Sequence, residues 1–143
     1  MYLTYDEFIA EGGDTLDEIT FNDLEFEAEC YVDEYTFNRL QNEEVIPDRV
    51  KRCMIHIIKL IKTQMDLLNA STPDSSSQSS SDSNVGIASQ SNDGVSISYN
   101  VITASDVITL SKQEIDKAIK RYLQGVSNSL GRKLLYRGIY PDE

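Results

Sequence analysis

Apolar residues recur every three or four positions over most of this chain, which is the spacing of helices that bury one face. The stretch TYDEFIAEGG predicts a short first helix, which begins at a capping box of Thr4 and Glu7 and ends at Gly12-Gly13. Pro47 is well placed in the first turn of a much longer helix, DRVKRCMIHIIKLIKTQMDLLNA. Its main apolar stripe is Val50, Met54, Ile57, Ile61, Met65 and Leu68, widened by Cys53, Ile58 and Leu60. A face this broad predicts burial against more than one neighbour.

Another long helix is predicted between these two. Thr15 and Glu18 form a second capping box, and acidic residues cover most of the surface around the apolar positions. The apolar stripe consists of Leu24, Ala28, Tyr31 and Tyr35. Leu16 and Ile19 do not continue this stripe, so a break near Thr20 is left open.

The last predicted helix is SKQEIDKAIKRYLQG, which begins at a third capping box, Ser111 with Glu114, and ends at Gly125. Its apolar face is Ile115, Ala118, Ile119, Tyr122 and Leu123. The residues that follow, 126–143, contain two further glycines and a proline near the end, and they predict an extended tail.

One segment, SQSNDGVSISYNV at 89–101, alternates apolar and small polar residues behind an Asn-Asp-Gly turn signal, which predicts a β-hairpin. A two-residue turn at Asp93-Gly94 would oppose Ile97 to Gln90 and mix the two faces. A three-residue loop, Asn92 to Gly94, sorts the apolar residues onto one face and is the register we predict. That face is Val85, Ile87, Val95, Ile97, Tyr99 and Val101. A lone two-stranded ribbon is marginal in water, so this face requires a neighbour.

These patterns predict one mainly α domain, a small helical bundle with one long β-hairpin arm between the third and last helices and an extended C-terminal tail. Its parts are an N-terminal helical part at 1–70, a serine-rich loop at 71–84, the arm at 85–101, the last helix and its lead-in at 102–125, and the tail at 126–143. Between Ser71 and Ser83 eight of thirteen residues are serine and none is apolar, which predicts a flexible loop.

The net charge of -11 is unevenly distributed. Residues 1–48 carry fifteen acids and one base, Arg39, whereas 49–70 and 111–143 are net basic. This segregation predicts complementary surfaces within the fold or between copies of it, and it disfavours tight binding of phosphate backbones by the chain as a whole.

The sequence predicts no enzyme, cofactor or metal site. His56 is the only histidine and lies in the basic stripe of the third helix, EGGDT lacks the spacing and lysine of a P-loop, and adjacent acids such as Glu43-Glu44 and Asp33-Glu34 are typical of solvated surface. Cys30 and Cys53 are expected to be reduced structural thiols. No run is long and apolar enough for a membrane span, and MYLTYDEF lacks a signal-peptide pattern, so we expect a soluble protein made inside the cell.

Two segments have open alternatives. The stripe of Arg49, Arg52, His56 and Lys59 is interpreted as a partner for the acidic face of the second helix, in the same or an adjacent subunit, with nucleic-acid binding as the alternative. The tail motif KLLYRGIY, at 133–140, is equally consistent with an anchor in a partner's groove and with packing on its own domain.

YLTYDEFIAEGG, PDRVKRCMIHIIKLI, SNDGVSISY and LLYRGIY, in this order and at these distances, resemble the head-tail connector (adaptor, head-completion) proteins of long-tailed bacteriophages of Gram-positive hosts. The resemblance implies a mostly α-helical virion protein that forms a ring, commonly of about twelve subunits, under the portal at the head-tail interface. It further implies that DNA passes through the ring without sequence-specific binding and that a tail-side completion or stopper protein binds below.

Carried over by position, the resemblance assigns portal docking to the tail and a subunit or stopper contact to the arm. The portal-docking residues would be Leu134, Leu135, Tyr136, Arg137, Ile139 and Tyr140. The arm residues would be Val85, Ile87, Asn92, Asp93, Gly94, Val95, Ile97, Tyr99 and Val101. The alternative function is a small helical nucleic-acid-binding or regulatory protein that uses Arg49, Arg52 and Lys59.

Overall fold

A computed structural model describes residues 1–12, 16–70 and 104–140, together with the backbone of two short strands. Four helices account for most of it: α1 (Tyr5–Ala10), α2 (Glu18–Thr36), α3 (Asp48–Ala70) and α4 (Ala104–Leu123). The prediction of a mainly α protein is therefore confirmed. The predicted serine-rich loop lies outside the described residues.

The ends of α1 and α2 show one correct and one wrong capping prediction. Thr4 Oγ1 accepts from the Glu7 backbone N–H at 3.3 Å while Glu7 Oε2 accepts from the Thr4 N–H at 3.1 Å, so the first capping box is confirmed. α2 instead begins with Asp17 as its N-cap, whose Oδ2 accepts from the Thr20 N–H at 3.0 Å. A carboxylate at this position accepts hydrogen bonds from the free N–H groups of the first turn. Its negative charge is also stabilised by the positive end of the helix dipole. The helix then runs through Thr20 without a break.

α4 begins about two turns earlier than predicted, because its first residue is Ala104 and Ser111 lies within the helix. The residues before Ser111 contain no glycine or proline, and a helix extends readily through such a segment once it packs beside another. The predicted cap at Ser111 was therefore wrong. The predicted end was right, since Gly125 follows α4 with a φ of +77°, a conformation that glycine adopts without strain.

The core lies between α2, α3 and α4, and α1 closes one end of it. Phe8 of α1 and Phe21 of α2 are completely buried, with ring centroids 5.0 Å apart. The broad apolar face of α3 is covered by both α2 and α4, as predicted. The other completely buried large side chains include Met54, Ile57, Ile58, Ile115, Ile119 and Leu123.

The far ends of α3 and α4 extend beyond this core as a helical stalk, which we define as residues 62–69 and 104–110. Every described side chain in it is exposed or half-buried. Met65 and Ile108, which continue the inward stripes of their helices, are 45% and 48% exposed. The 33 residues between α3 and α4, numbers 71–103, are connected at this end of the molecule.

Two strands, β1 (Ser89–Asn92) and β2 (Val95–Ser98), pair antiparallel. Asn92 pairs with Val95 and Gln90 with Ile97, so the predicted pairing of Ser91 with Val95 was wrong. The dipeptide between the strands is Asp-Gly, which is common in two-residue hairpin connections. This local preference accounts for the pairing of Asn92 with Val95. The register from which the single apolar face was predicted is therefore wrong, and the arm over 85–101 is not supported as a whole. Its remaining residues lie outside the described part of the chain.

Candidate interaction surfaces

Three acids of α2 hold the N-terminal segment rather than facing solvent. The Met1 amino group forms an ion pair with Glu29 Oε2 at 2.9 Å, and the backbone N–H of Tyr2 donates to Glu25 Oε1 at 2.8 Å. The Tyr2 hydroxyl donates to Asp33 Oδ1 at 2.5 Å. Glu25 is buried, and this burial raises the pKa of its carboxyl group. The prediction that Asp33 is a purely solvated acid was therefore wrong.

The first part of the predicted tail folds back into a compact turn. Asn128 N–H donates to the Arg132 carbonyl at 2.9 Å, and Leu134 N–H donates to the Val126 carbonyl at 3.0 Å. Glu43, in the α2–α3 connection, accepts from both the backbone N–H and the hydroxyl of Ser129, each at 3.0 Å. Of the two interpretations left open by the sequence, the structure has this segment packed on its own domain.

Arg39 binds the second part of the tail through its backbone. Its guanidinium donates to the carbonyls of Lys133, Leu134, Tyr136 and Gly138, at 3.2, 3.4, 2.5 and 2.9 Å. The group is almost buried, at 9% exposure, and lies 5.2 Å from the ring centroids of both Phe37 and Tyr140. A planar guanidinium has five donors spread over three nitrogens and can bind carbonyls in several directions, whereas an ammonium has three donors on a single nitrogen. We call this arrangement the Arg39 clamp.

The clamp divides the predicted docking residues into two groups. Leu134 is completely buried and therefore not available to a partner, and Leu135 is half-buried against the core. Tyr136, Arg137 and Ile139 are exposed, with Ile139 at 86%. Tyr140 is half-buried, its ring 5.1 Å from that of Tyr136.

A groove of about 410 Å³ lies beside these exposed tail residues, between the end of α2 and the tail. It is lined by Glu34, Tyr35, Phe37 and Arg137. Burial and Asp116 raise the pKa of Tyr35 to about 12, so its phenol stays protonated at neutral pH. Phe37 is half exposed and has a left-handed backbone with φ of +55°, which is uncommon for a bulky residue. The Phe37 ring lies against the guanidinium of Arg39, 5.2 Å from it.

Most of the predicted arm residues lie outside the part of the chain that the structure describes. Val85, Ile87, Asp93, Gly94, Tyr99 and Val101 lie outside the described residues. For Asn92, Val95 and Ile97 the structure describes the backbone pairing alone.

The outer face of α2 carries apolar side chains that point away from the core. Ile19 and Phe26 are 77% and 67% exposed, and Cys30 is exposed beside them. Their spacing of seven and four residues places all three on one line along the helix. Exposed acids, including Asp23 and Glu27, flank this line. Sequence reasoning missed this second stripe, although the positions of Ile19, Phe26 and Cys30 were its signal.

The basic stripe of α3 faces α1 and α4, not the acids of α2. Arg49 Nη1 donates to the Gln124 carbonyl at 3.3 Å, and Lys59 Nζ donates to the Gly12 carbonyl at 3.1 Å. Lys51, adjacent to the stripe, forms an ion pair with Glu7 of α1. Within residues 1–12, 16–70 and 104–140, no α3 cation pairs with an α2 carboxylate, so the predicted pairing within one subunit was wrong.

A groove of about 420 Å³ separates α1, α3 and α4 on this basic side. Its lining residues are Glu11, Arg52, Ile55, His56, Lys59 and Tyr122. The His56 ring centroid lies 5.8 Å from that of Tyr122, and the Arg121 guanidinium lies over the Tyr122 ring, 5.2 Å from its centroid. Burial, and the positive charge of Arg121, lower the pKa of His56, so the imidazole is neutral at pH 7.

Cys30 and Cys53 are free thiols, and burial raises the pKa of Cys53 to about 12, which makes it unreactive. In the described ranges, no group of three or more His, Cys, Asp or Glu side chains is placed to hold a metal ion. No described helix has both the length and the apolar composition required to cross a membrane. Comparisons with protein-family profiles, curated proteins and solved structures found no match.

Proposed function

We propose that this protein is a structural, non-enzymatic virion component, a head-tail connector that forms a ring between the capsid portal and the tail around the DNA exit channel. The observation that carries the proposal is the Arg39 clamp, which holds an otherwise irregular tail in one conformation with Tyr136, Arg137 and Ile139 facing outward. Aromatic, arginine and aliphatic side chains grouped in this way are typical of interface hot spots. The proposed partner of this surface is the portal.

The clamp contributes to docking by fixing the tail before the partner arrives. A tail that is free in solution loses conformational entropy when it binds, whereas a preorganised tail has already lost most of it. The adjacent groove, lined in part by Phe37 and Arg137, extends the surface beyond the tail itself. The proposed docking set is therefore reduced to Tyr136, Arg137 and Ile139, with Phe37 added. Buried Leu134 and the half-buried Leu135 and Tyr140 are left out.

The other parts of the proposal rest on the stalk and on the charge distribution. The stalk, from which residues 71–103 are connected, extends beyond the core, and the arm residues Val85 to Val101 are proposed to contact a neighbouring subunit or a tail-side stopper protein. The net charge of -11 suits a channel through which DNA slides, because each phosphate neutralised by a cation would add salt-dependent affinity.

Binding to the portal of the same phage tests the docking surface. Ile139→Asp is expected to lower affinity at least tenfold, because it places a carboxylate at the most exposed apolar position of the tail. Val45→Asp is the matched control, since Val45 is 79% exposed in the α2–α3 connection and outside the surface. Circular dichroism should show wild-type helicity for both. Wild-type portal affinity in the Ile139→Asp protein would exclude the proposed docking role.

The alternative, a nucleic-acid-binding regulator that uses Arg49, Arg52 and Lys59, has weaker support. Two of these three cations donate to backbone carbonyls of the domain, and Glu11 lies in the same groove. A titration with duplex DNA at low salt distinguishes the two functions. A steep salt dependence that disappears on replacing these three residues would favour the regulator.

A further inference from the structure

α2 is apolar on two opposite sides, and one of them serves the core. Phe21, Leu24, Ala28 and Val32 are buried, whereas Ile19, Phe26 and Cys30 form the outer line described above. A helix needs only one apolar face to pack in a small domain, and large exposed aromatic side chains in a line mark interaction sites more often than single ones do. Over the described residues, nothing buries this outer line.

The charges around the outer line indicate what kind of surface it fits. Asp23, Glu27 and Glu34 are exposed along one side of it. A partner must therefore combine an apolar floor with positive charge along one edge. A nucleic acid would be repelled by these carboxylates and would leave Phe26 uncovered.

The groove between α1, α3 and α4 has this combination. Ile55 and Tyr122 form its apolar and aromatic part, and Arg52, Lys59 and the nearby Arg121 provide three cations. The acids beside it are fewer, and Glu114 is already paired with Lys117 at 2.8 Å. Its volume of about 420 Å³ exceeds that of a phenyl group, so a protruding Phe side chain can enter.

We infer that the outer face of α2 in one copy packs into the α1–α3–α4 groove of a second copy, with Phe26 against Ile55 and Tyr122 and the flanking carboxylates facing Arg52, Lys59 and Arg121. The two surfaces differ and belong to different helices, so the contact is heterologous and repeats from copy to copy. It closes into a ring if the rotation between copies permits, and otherwise it forms a chain. The inference rests on the self-association included in the proposed function, and it identifies the residues responsible.

Complementary one-sided variants test this contact. Phe26→Asp removes the α2 surface and leaves the groove intact, whereas the double variant Arg52→Glu/Arg121→Glu removes the groove and leaves α2 intact; all three positions are exposed. Each variant alone should self-associate at least tenfold more weakly than the wild type in sedimentation experiments. An equimolar mixture should form a 1:1 dimer and nothing larger, because it contains one intact copy of the contact. Val45→Asp should associate like the wild type.

Disulfide trapping tests the same contact at low affinity and in the assembled particle. Cys30 lies on the outer line, and Glu11→Cys places a thiol at the groove while removing one of its acids. Mild oxidation of this variant, alone and mixed with the portal, should give a ladder of dimers, trimers and larger species. The ladder should be absent from the Glu11→Cys/Cys30→Ser control, in which buried Cys53 remains.

Three results would overturn the inference. The first is a mixture of the one-sided variants that stays monomeric, and the second is no ladder above the control in either condition. The third is loss of duplex DNA binding in the Arg52→Glu/Arg121→Glu variant without self-association of the wild type. The outcome is separable from portal docking. Ladder formation without portal binding would leave this contact standing and refute the connector role, and portal binding without a ladder would do the reverse.

Discussion

Replacing Arg39 with methionine should release the C-terminal tail while leaving the helical core folded. Methionine has a similar length and can remain between the rings of Phe37 and Tyr140, so the change removes the charge and the donors with little loss of packing. Lysine is the informative second variant, because it keeps the charge but cannot reach four carbonyls from one nitrogen.

The expected loss follows from the four hydrogen bonds. Bonds to a charged donor contribute about 1.5–3 kcal/mol each when taken singly, but they share one guanidinium here and do not add. The carbonyls of the exposed residues Lys133 and Tyr136 can also bind water once they are released. The rest of the lost stability depends on whether the completely buried Leu134 stays in the core when the clamp is removed. We expect Arg39→Met to lower the free energy of unfolding by about 2–4 kcal/mol, and Arg39→Lys by about half as much.

Urea denaturation and amide hydrogen exchange check this prediction together. The Leu134 N–H, which donates to the Val126 carbonyl, should lose protection first, and trypsin should cleave at Arg132, Lys133 and Arg137 faster than in the wild type. Arg49→Met is the matched control, since exposed Arg49 makes one 3.3 Å bond to a backbone carbonyl, and it should change stability by no more than about 0.5 kcal/mol. Wild-type stability together with wild-type protection of Leu134 in Arg39→Met would refute the clamp.

Further predictions concern the N-terminal segment that α2 holds and the end of α4. Because burial raises the pKa of Glu25 in the folded protein, its ionised form opposes folding at neutral pH, and this opposition disappears as the pH falls to about 4. The Glu25→Gln protein should therefore be at least as stable as the wild type at pH 7, and the difference between their free energies of unfolding should shrink as the pH falls. A difference that grows in favour of the variant on acidification would contradict this prediction. Glu25→Ala should cost about 2 kcal/mol at pH 7, because the buried backbone N–H of Tyr2 loses its acceptor. Gly125→Ala should lower the free energy of unfolding by about 1 kcal/mol, because alanine is strained at a φ of +77°. Steric overlap contributes nothing, since an added Cβ meets no atom within 4 Å. An unchanged midpoint in thermal or urea unfolding would show that the end of α4 does not require a left-handed residue at position 125.

Features that depend on a few neighbouring residues were predictable. The capping box of α1 requires Thr4 and Glu7, three residues apart, and the end of α4 requires only a glycine at position 125. The wide apolar face of α3 is equally local, since its period can be counted along one helix. The same local reasoning failed where two signals competed, as at Asp17 against Thr15 and in the register of the paired strands.

The sites themselves were less predictable than the helices. Arg39 contacts carbonyls 94 to 99 residues away, and its isolation among fifteen acids was its only sequence signal. Because every residue has a backbone carbonyl, no pattern of side chains in the sequence predicts a contact between Arg39 and the carbonyls of the tail. Likewise, only the structure shows that Leu134, which the sequence assigned to docking, is completely buried.

What the sequence by itself determined about this protein is its helical class, most of the helix ends and the segregation of acidic from basic segments, because each follows from local periodicity, capping and composition. The tertiary structure decided which charged groups meet, which tail residues remain exposed and which side of α2 faces outward. Those outcomes depend on how the helices cross and on long-range contacts, as when the α3 cations face α1 and α4 rather than the acids of α2. The single apolar stripe predicted for α2 became two faces, one for the core and one that we assign to another copy of the chain.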